Sequence, residues 1–373
     1  MRILHATDCY LPGLGGIETH VADLAARQSA RGDLVTVVTA SRASADGARC
    51  DDDGPVRVHR TDRAAEAAEH LAGHDVVHAH LSGVSPYASR VASRAARAGV
   101  PTVVTVHSLW SGMGPLPTLA AGAYGLWFAP VVWTAVSRAA AELLRPALPG
   151  RVPVRVVPNA VDAVPRPSTA ETGEQVRIVS TMRLAARKRP VQLLGMLAAL
   201  RDRTSRPIRM ELIGDGPLRA TLERTAHRKR LSDLVTIAGR LSRPEVLRTV
   251  AGADVYVAPA TRESFGIAAL EARTLGLPVV GRTGTGLSEF IGHEREGLLA
   301  GSDREMVGAL QRLVDDQELR WRIGEHNRTT PTTMTWRYAL ARNDAAYAHA
   351  AELLAGRRTG ARRRLLAGEL SGD

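Results

Sequence analysis

The chain has 373 residues, of which 45% are hydrophobic and 23% charged. That is enough for two domains with ordinary cores, and it excludes a disordered protein. The formal net charge of +11 indicates an anionic partner such as nucleic acid, anionic lipid or a phosphorylated small molecule. Only Lys188 and Lys229 among the 49 basic residues are lysines, so the arginine excess reflects base-composition bias and says little about phosphate binding.

Two cysteines, Cys9 and Cys50, offer no disulfide framework and no metal-ligand spacing. The first residues, MRILHATD, read as a strand and not as a signal peptide. No apolar run is long enough to span a membrane. A cytoplasmic location is therefore expected.

Short apolar runs alternate with alanine-rich helical stretches over the first 110 residues. Helices are predicted between strands, at 16–32 and 86–99, and each ends on glycine. The apolar stretch 120–136 is broken by Gly and Pro and predicts a loop that enters a buried strand, with contact to a lipid surface as the alternative. This alternation favours a parallel sheet covered on both faces, with strands at residues 2–7, 34–40, 56–60, 75–80 and 101–108.

Prolines and small polar residues interrupt the pattern at 157–175, and it then restarts with VRIVSTM, IRMELIGDG, LVTIAG, DVYVAP and PVVG. The prediction is an α/β protein of two Rossmann-like parallel-sheet domains that face each other across a cleft. The parts are an N-terminal domain (1–160), a linker (161–175), a C-terminal domain (176–333), a closing helix (334–356) and a basic tail predicted to be disordered (357–373).

Ligands of open parallel sheets bind beyond the carboxyl ends of the strands, so residues just after each strand are the candidates. Gly13, Gly15 and Gly16 follow the first strand and precede a helix whose free amides could face a ligand. The spacing is not a dinucleotide fingerprint, and a turn without a ligand is an equal alternative. His107 follows the strand at 101–108, where a structural histidine is the alternative to a catalytic one.

Two features are discounted as metal sites. The stretch HAH at 78–80 resembles a metal pair, but its two histidines are expected to point to opposite faces of their strand and so not to share an ion. The aspartates at 51–53 lie in the turn-like stretch CDDDGP and predict a solvated loop. No metal is therefore expected.

The stretch VSTMRLAARKRP (179–190) places Arg183 and Lys188 just past a strand, near the start of the next helix. Two cations with helix amides behind them form a phosphate clamp that needs no metal. Two ordinary surface cations are the alternative, and the scarcity of lysine favours the clamp. The turn LIGDGP (212–217) follows another strand and is a weaker signal.

The stretch ESFGIAALE (263–271) follows the strand that ends at Pro259. Glu263 is expected in the loop at the carboxyl end of that strand, and the next helix is expected to begin at Phe265 or Gly266. The amides of Phe265, Gly266 and Ile267 would then take phosphate oxygens. Glu263 would bind sugar hydroxyls and Glu271 a ribose; a capping carboxylate and a surface glutamate are the alternative.

Together these motifs resemble glycosyltransferase family 4, the retaining nucleotide-sugar enzymes of the GT-B fold. The resemblance runs over nearly the whole chain, because the motifs occur in the family's order. They are GGIETH, TVHS, PNAVD, MRLAARK, GDGP, ESFGIAALE with EARTLGLPVVG, and EGLL. Two departures are Ser288, where the family often has proline, and Ala160, where glycine is common.

The resemblance implies a role for each matching residue. His107, Glu263, Arg183 and Lys188 would be catalytic: His107 near the reacting carbon, Glu263 on donor-sugar hydroxyls, and the two cations on the leaving diphosphate. The donor would also be held by Gly15, Gly16, Ser264, Phe265, Gly266, Ile267 and Glu271. The first domain would bind the acceptor and the second the donor, and the closing helix would cross back onto the first domain.

The implied reaction moves a hexose from a UDP- or GDP-linked sugar to a hydroxyl of a lipid-linked or small-molecule acceptor, with retention and without metal or cofactor. The apolar segment 108–127 is expected to contact the acceptor. Together with the positive charge, it allows peripheral contact with the inner face of the membrane. The alternatives are a sugar-nucleotide epimerase or phosphorylase of the same fold, a dehydrogenase, and a nucleic-acid-binding protein. The last is disfavoured because aromatic residues are only 4%.

Overall fold

The computed structural model describes residues 1–13, 15–42, 50–51, 54–110, 119, 122–148, 152–162 and 174–369. Contacts divide the chain into an N-terminal unit, formed by Met1–Asn159 with Arg337–Asp373, and a C-terminal unit, Ala160–Trp336. Each unit has its own sheet and its own hydrophobic core. Most of the predicted linker lies outside the described residues.

The sheet of the N-terminal unit has the strand order β3-β4-β2-β1-β5-β6-β7-β8. Seven strands are parallel, and the two-residue β3 pairs antiparallel with β4 at one edge. Residues of β1, β5, β6 and β7 are almost all buried, as expected for a sheet covered on both faces. The strands are β1 (Arg2–Thr7), β2 (Leu34–Thr39), β3 (Cys50–Asp51), β4 (Arg57–Arg60), β5 (Val76–Leu81), β6 (Thr102–Val106), β7 (Val131–Ala135) and β8 (Val154–Val156).

Helices connect these strands. Helix Pro86–Arg97 begins with proline at its first turn, where the missing amide hydrogen costs nothing. Ser137 caps Arg138–Leu144 by accepting from the amide of Ala140 at 3.0 Å. Helices with both ends among the described residues include Gly16–Ala30, Ala64–Glu69, Pro86–Arg97, Arg138–Leu144 and Trp336–Glu369.

The terminal helix, Trp336–Glu369, belongs to the N-terminal unit from Arg337 onward. Its Ala346, Tyr347 and Ala350 pack against buried residues of four neighbouring strands: Ile3, Val76, Val103 and Val132. This return to the first unit confirms the predicted crossing of the closing helix. The helix also continues to Glu369, whereas the sequence predicts a disordered tail from residue 357.

The C-terminal unit has a six-stranded parallel sheet of order β11-β10-β9-β12-β13-β14. Its core joins strand residues such as Ile178 and Leu212 to helix residues such as Leu194 and Leu310. The strands are β9 (Val176–Thr181), β10 (Ile208–Ile213), β11 (Val235–Gly239), β12 (Val255–Val257), β13 (Val279–Arg282) and β14 (Gly297–Ala300). The helices are Pro190–Arg201, Arg219–Arg228, Arg243–Ala251, Ile267–Thr274, Asp303–Asp315 and Gln317–Thr329.

Two Rossmann-like parallel sheets, one in each unit, confirm the predicted fold class. The sequence did not predict β3, β8 or β14, all of which are edge strands of two to four residues. Among the helices that the structure describes, none has the length and apolar character needed to cross a bilayer.

Candidate active site

Each sheet has one topological switch point, where the chain changes the direction in which it adds strands. In the N-terminal unit this point lies between β1 and β5, and in the C-terminal unit between β9 and β12. The loops after two such strands diverge and leave a crevice at their carboxyl ends, which is where open α/β sheets bind ligands. The candidate residues can be placed relative to these two crevices, each within its own unit.

Lys188 and Glu263 come together at the switch point of the C-terminal unit. Lys188 follows β9 and Glu263 follows β12, and the Lys188 Nζ donates to a carboxylate oxygen of Glu263. The two side chains are 22% and 15% exposed, so the pair is largely shielded while still reached by solvent. The sequence predicts both as site residues but does not predict that they form an ion pair.

A second cluster holds this pair in place. Arg189 has a left-handed backbone, with φ at 61°, and it caps the helix that begins at Pro190. Its guanidinium forms two hydrogen bonds of 2.8 Å to the Asp303 carboxylate, and its Nη1 also donates to the carbonyl of Pro259 at 3.3 Å. Arg282 contacts the same carboxylate from β13. The cluster therefore ties the Lys188 loop to the end of β12.

Ion pairing to Arg189 and Arg282 holds the pKa of the Asp303 carboxyl below its usual value. Arg282 is only 5% exposed, so the carboxylate is its main compensation for burial. The sequence did not single out this cluster, because its three residues lie on separate segments and share no motif.

The GDGP turn supports the loop that carries Arg183. A Cβ at Gly214, with φ at 134°, would lie 1.9 Å from the carbonyl oxygen of Met182, so only glycine fits. The amide of Leu184 donates to the carbonyl of Asp215 at 2.9 Å. Arg183 itself is exposed between the buried Met182 and Leu184. The turn that seemed weak in the sequence is thus a support for the predicted clamp.

The helix of the ESFGIAALE stretch begins at Ile267, with Gly266 as N-cap in a left-handed conformation, φ 91°. Its first-turn amides therefore belong to Ile267 and the two residues after it, and not to Phe265 as the sequence analysis expected. Phe265 is buried and packs against Phe290, with ring centres 5.4 Å apart. The difference arises because glycine at positive φ delays the helix by one or two residues.

The loop between β12 and this helix is braced by residues 285–288. The amide of Gly286 donates to the carbonyl of Glu263 at 2.8 Å. A Cβ at Gly286 would lie 2.1 Å from the carbonyl oxygen of Ser264. At the site of the family's proline, the amide of Ser288 donates to the carbonyl of Thr285 at 3.2 Å, a bond that proline cannot make.

Glu271, predicted to bind a ribose, lies on helix Ile267–Thr274 and is paired with Arg243 at 3.2 Å. Its side chain is 18% exposed, so it is accessible. A nucleotide hydroxyl at this carboxylate would have to share it with the Arg243 guanidinium.

In the N-terminal unit, Gly15 and Gly16 are exposed at the start of helix Gly16–Ala30, after β1. His107 follows β6, is 6% exposed, and its amide donates to the carbonyl of Leu81 at 2.8 Å. Since β1 and β6 are parallel in one sheet, these residues lie at the same edge of it. Burial lowers the pKa of His107 to about 3, so its imidazole is neutral at physiological pH.

The expectation for HAH was wrong. His78 and His80 have ring centres 4.1 Å apart, because residues two apart in a strand lie on the same face. With His5 of the neighbouring β1 they form a buried group whose candidate ligand atoms lie within 4.8 Å of one another. Each imidazole is hydrogen-bonded: His5 to His80 at 2.9 Å, His78 to Thr105 at 2.6 Å.

The aspartates at 51–53 were predicted to be a solvated loop. Asp51 lies in β3, the short antiparallel edge strand, and the other two aspartates lie outside the described residues.

Solved structures with the same architecture place the chain in a class. Sucrose-phosphate synthase from Thermosynechococcus elongatus superposes with a TM-score of 0.73 at 19% identity, over 99% of this chain and 100% of the other. Anabaena HepE in complex with UDP and glucose gives 0.74 at 20% identity, over 95% and 100%. The two Rossmann-like units with a returning terminal helix are those of the GT-B fold.

Two sequence profiles divide the chain between them. The profile described as Glycosyltransferase Family 4 matches residues 14–164, and that described as Glycosyl transferases group 1 matches residues 164–330. The matches adjoin and together cover most of the chain. The chain belongs to glycosyltransferase family 4, a family of enzymes.

Individual relatives differ in how much they share. A GDP-mannose-dependent alpha-(1-6)-phosphatidylinositol monomannoside mannosyltransferase of Mycobacterium tuberculosis is 26% identical over 90% of this chain and 95% of its own length. The 2-deoxystreptamine glucosyltransferase of Streptomyces kanamyceticus is 28% identical over 65% of this chain and 68% of its own length. Alpha-D-kanosaminyltransferase of the same organism is 32% identical, but the match spans 43% of this chain and only 41% of that protein.

Proposed function

We propose that the protein transfers a hexose from a UDP- or GDP-linked sugar to a hydroxyl of a lipid-linked or small-molecule acceptor, with retention of configuration and without a metal ion. Family membership and the GT-B fold support transfer from a nucleotide sugar. The named relatives include GDP-mannose and UDP systems, which leaves both bases in the proposal.

The observation that carries the proposal is the Lys188–Glu263 pair at the switch point of the C-terminal unit. It places an ammonium and a carboxylate side by side where a donor would bind. When the sugar–phosphate bond breaks, negative charge grows on the diphosphate and positive charge on the sugar. Lys188, Arg183 and the amides that begin helix Ile267–Thr274 can stabilise the diphosphate, and Glu263 can accept hydrogen bonds from sugar hydroxyls.

The proposed absence of a metal ion rests on the protein's own cations. Asp303 is already neutralised by Arg189 and Arg282, so its carboxylate is not available as a metal ligand. In the proposal, Lys188 and Arg183 neutralise the diphosphate in place of a metal.

In the proposed step, the acceptor oxygen bonds to the anomeric carbon from the face that the diphosphate leaves. The bond from that carbon to the diphosphate oxygen breaks, and the electron pair stays on the diphosphate. The acceptor proton passes to the departing phosphate oxygen. Such a step needs no enzyme carboxylate as nucleophile, and Glu263 serves only to bind hydroxyls.

The surface of the N-terminal unit supports an anionic or membrane-bound acceptor. Phe128 is 78% exposed and Leu119 is 56% exposed. In the same unit, Arg90, Arg94 and Arg97 of helix Pro86–Arg97 line a cavity of about 260 Å³ together with Tyr124. Exposed apolar side chains and clustered cations suit an anionic lipid surface.

The donor site is tested by thermal-shift binding of UDP, GDP and ADP, with and without EDTA. One diphosphate should raise the melting temperature of the wild type, with no effect of EDTA, and the shift should be lost in Lys188→Ala and Arg183→Ala. Lys229→Ala is the matched control, because Lys229 is the only other lysine and lies exposed after helix Arg219–Arg228. Loss of the shift on adding EDTA would refute the metal-free clamp.

The acceptor side is tested by co-sedimentation with vesicles of phosphatidylcholine alone or mixed with phosphatidylglycerol. Binding only to the anionic vesicles, reduced in Phe128→Ser, is the expected result. Recovery with neither vesicle type would favour a soluble small-molecule acceptor, and equal recovery with both would refute the role of anionic lipid.

A further inference from the structure

A continuous path of buried hydrogen bonds crosses the N-terminal unit and ends at His107. It runs over side chains of four strands (β1, β5, β6 and β7), helix Gly16–Ala30 and the terminal helix. In order, the path joins the Val104 carbonyl, Thr134, Thr105, His78, Tyr347, Gln28, His5, His80 and His107. Every side chain on it is at most 6% exposed, so water does not compete for these bonds.

The path has a direction because one end can only accept. The Thr134 hydroxyl donates to the Val104 carbonyl at 3.4 Å, so it must accept from Thr105 at 2.5 Å. Thr105 has then used its only proton and accepts from His78 Nε2 at 2.6 Å. The other ring nitrogen of His78, Nδ1, is bare and accepts from the Tyr347 hydroxyl at 2.9 Å.

The same logic carries the direction onward. Since the Tyr347 proton is used, its oxygen accepts from Gln28 Nε2 at 2.9 Å. The Gln28 amide oxygen therefore faces His5 and accepts from its Nε2 at 2.6 Å. His5 Nδ1 accepts from His80 Nε2 at 2.9 Å, and His80 Nδ1 accepts from His107 Nε2 at 3.0 Å.

We propose that Tyr347 and Gln28, acting through His5 and His80, are positioning residues that hold His107 as the Nε2–H tautomer. In this tautomer Nδ1 carries the lone pair, so it acts only as a hydrogen-bond acceptor. The catalytic role of His107 rests on the proposed function, but the tautomer assignment does not.

Two features keep the path in this state. Burial lowers the pKa of all four imidazoles on it, to about 4 for His5 and about 3 for His107, so each remains neutral with one donor and one acceptor nitrogen. Burial also raises the pKa of the Tyr347 hydroxyl, which stays protonated.

An ion pair fixes the terminal helix against helix Gly16–Ala30. The Arg31 guanidinium forms two bonds, of 2.8 and 2.7 Å, to the Asp344 carboxylate. Arg31 lies three residues after Gln28, and Asp344 lies three residues before Tyr347. The exposed Arg31–Asp344 pair therefore fixes how the two helices align, and with it the buried contact of Gln28 with Tyr347. The terminal helix thereby takes part in setting the chemistry of His107.

A metal ion is the competing explanation for the group of His5, His78 and His80. In the directed path, the lone pair of each imidazole already accepts a bond, from His80, Tyr347 and His107 respectively. An ion would have to replace these three bonds, so the path accounts for the cluster without one.

The test is the nitrogen NMR spectrum of the imidazoles in the full chain, labelled with ¹⁵N-histidine, with His107→Gln used to assign the His107 signals. The wild type should show His107 as a single Nε2–H tautomer. Tyr347→Phe removes only the hydroxyl, so the Gln28 amide can flip and donate to His5 instead of accepting from it. The bonds from His5 to His80 and from His80 to His107 would then reverse, and the Nδ1–H form of His107 should appear. Thr134→Val, at the far end of the path, is a second variant with the same expected result.

Thr102→Val is the control, because Thr102 is a buried threonine of β6 whose hydroxyl bonds to Val100, outside the path. It should leave the tautomer and the transfer rate unchanged. If Tyr347→Phe makes the two tautomers equally populated, transfer should fall about two-fold, in proportion to the competent fraction.

The inference is overturned by an Nδ1–H or doubly protonated His107 in the wild type, by an unchanged tautomer in both path variants, or by stoichiometric zinc binding that His78→Gln abolishes. Failure of the proposed function looks different. If His107→Gln transfers sugar at the wild-type rate while the tautomer is as assigned, the path stands and the catalytic role of His107 is wrong.

Discussion

Acidification from pH 7.5 to 5.5 should destabilise the N-terminal unit and leave the C-terminal unit nearly unchanged. Burial lowers the pKa of the five buried histidines of the N-terminal unit, and also that of half-buried His74, below the ordinary value of 6.5. As the pH falls, the histidines are protonated in the unfolded chain before they are protonated in the folded one. Their contribution to the free energy of unfolding is therefore fully present above pH 6.5 and is lost as the pH falls toward the folded pKa values. The five are His5, His20, His78, His80 and His107.

The magnitude follows from the linkage relation. A histidine with an unfolded pKa of 6.5 that stays neutral in the folded state loses about 1.4 kcal/mol between pH 7.5 and 5.5. His5 and His107, with pKa values of about 4 and about 3, together give about 3 kcal/mol. All five would give about 7 kcal/mol as an upper bound. Asp8 opposes this trend in stronger acid, because burial raises the pKa of its carboxyl.

Hydrogen exchange measured by mass spectrometry resolves the two units in one sample. Opening free energies of β5 and β6 should fall by about 3 kcal/mol or more at pH 5.5, after correction for intrinsic exchange rates. Those of β9 and β10 should change little, since His227 and His293 of that unit are exposed and His326 is half-buried. Equal changes in the two units, or none in β5 and β6, would refute the reasoning.

Three further predictions concern the supports of the donor site. Asp303→Asn should lower the free energy of unfolding in urea by about 1 kcal/mol or more by leaving buried Arg282 without its carboxylate, whereas Asp202→Asn, in an exposed pair, should not. Gly214→Ala should strongly lower the free energy of unfolding in urea and weaken nucleotide binding, because its Cβ would clash with the Met182 carbonyl. As the control, Gly195→Ala lies in a helix with open space around the new Cβ, and it should raise the free energy of unfolding by about 0.5–1 kcal/mol. In Ser288→Pro, loss of the amide bond to Thr285 should lower the melting temperature; an increase would show that the family's proline is the better residue here.

The long, repetitive features of the fold were readable from the sequence. Strands 2–7 and 34–39 were predicted within one residue, because runs of Val, Ile and Leu bounded by turns have few alternatives. Edge strands such as Val154–Val156 and Gly297–Ala300 escaped prediction, since three or four residues carry no periodic signal. The start of the helix at Ile267 was missed because it depends on the backbone angle of Gly266.

Single residues of the candidate site were also readable, but their partnerships were not. The sequence singled out Lys188 and Glu263, which are 75 residues apart, and only the adjacency of β9 and β12 pairs them. It could not reveal that Arg243 holds Glu271. The histidine pair was misjudged although strand period alone, applied correctly, places His78 and His80 on one face.

By itself, the sequence determined the α/β class, the family and the residues most suited to hold a phosphorylated donor. These follow from local pattern, because a strand, a helix start or a glycine turn is specified by residues close together in the chain. Only the tertiary structure decided which groups compensate one another: Arg189 with Asp303, and Tyr347 with Gln28 and His78. Such partners lie far apart in the chain, and their hydrogen bonds depend on ångström distances that only the packed sheets and helices fix.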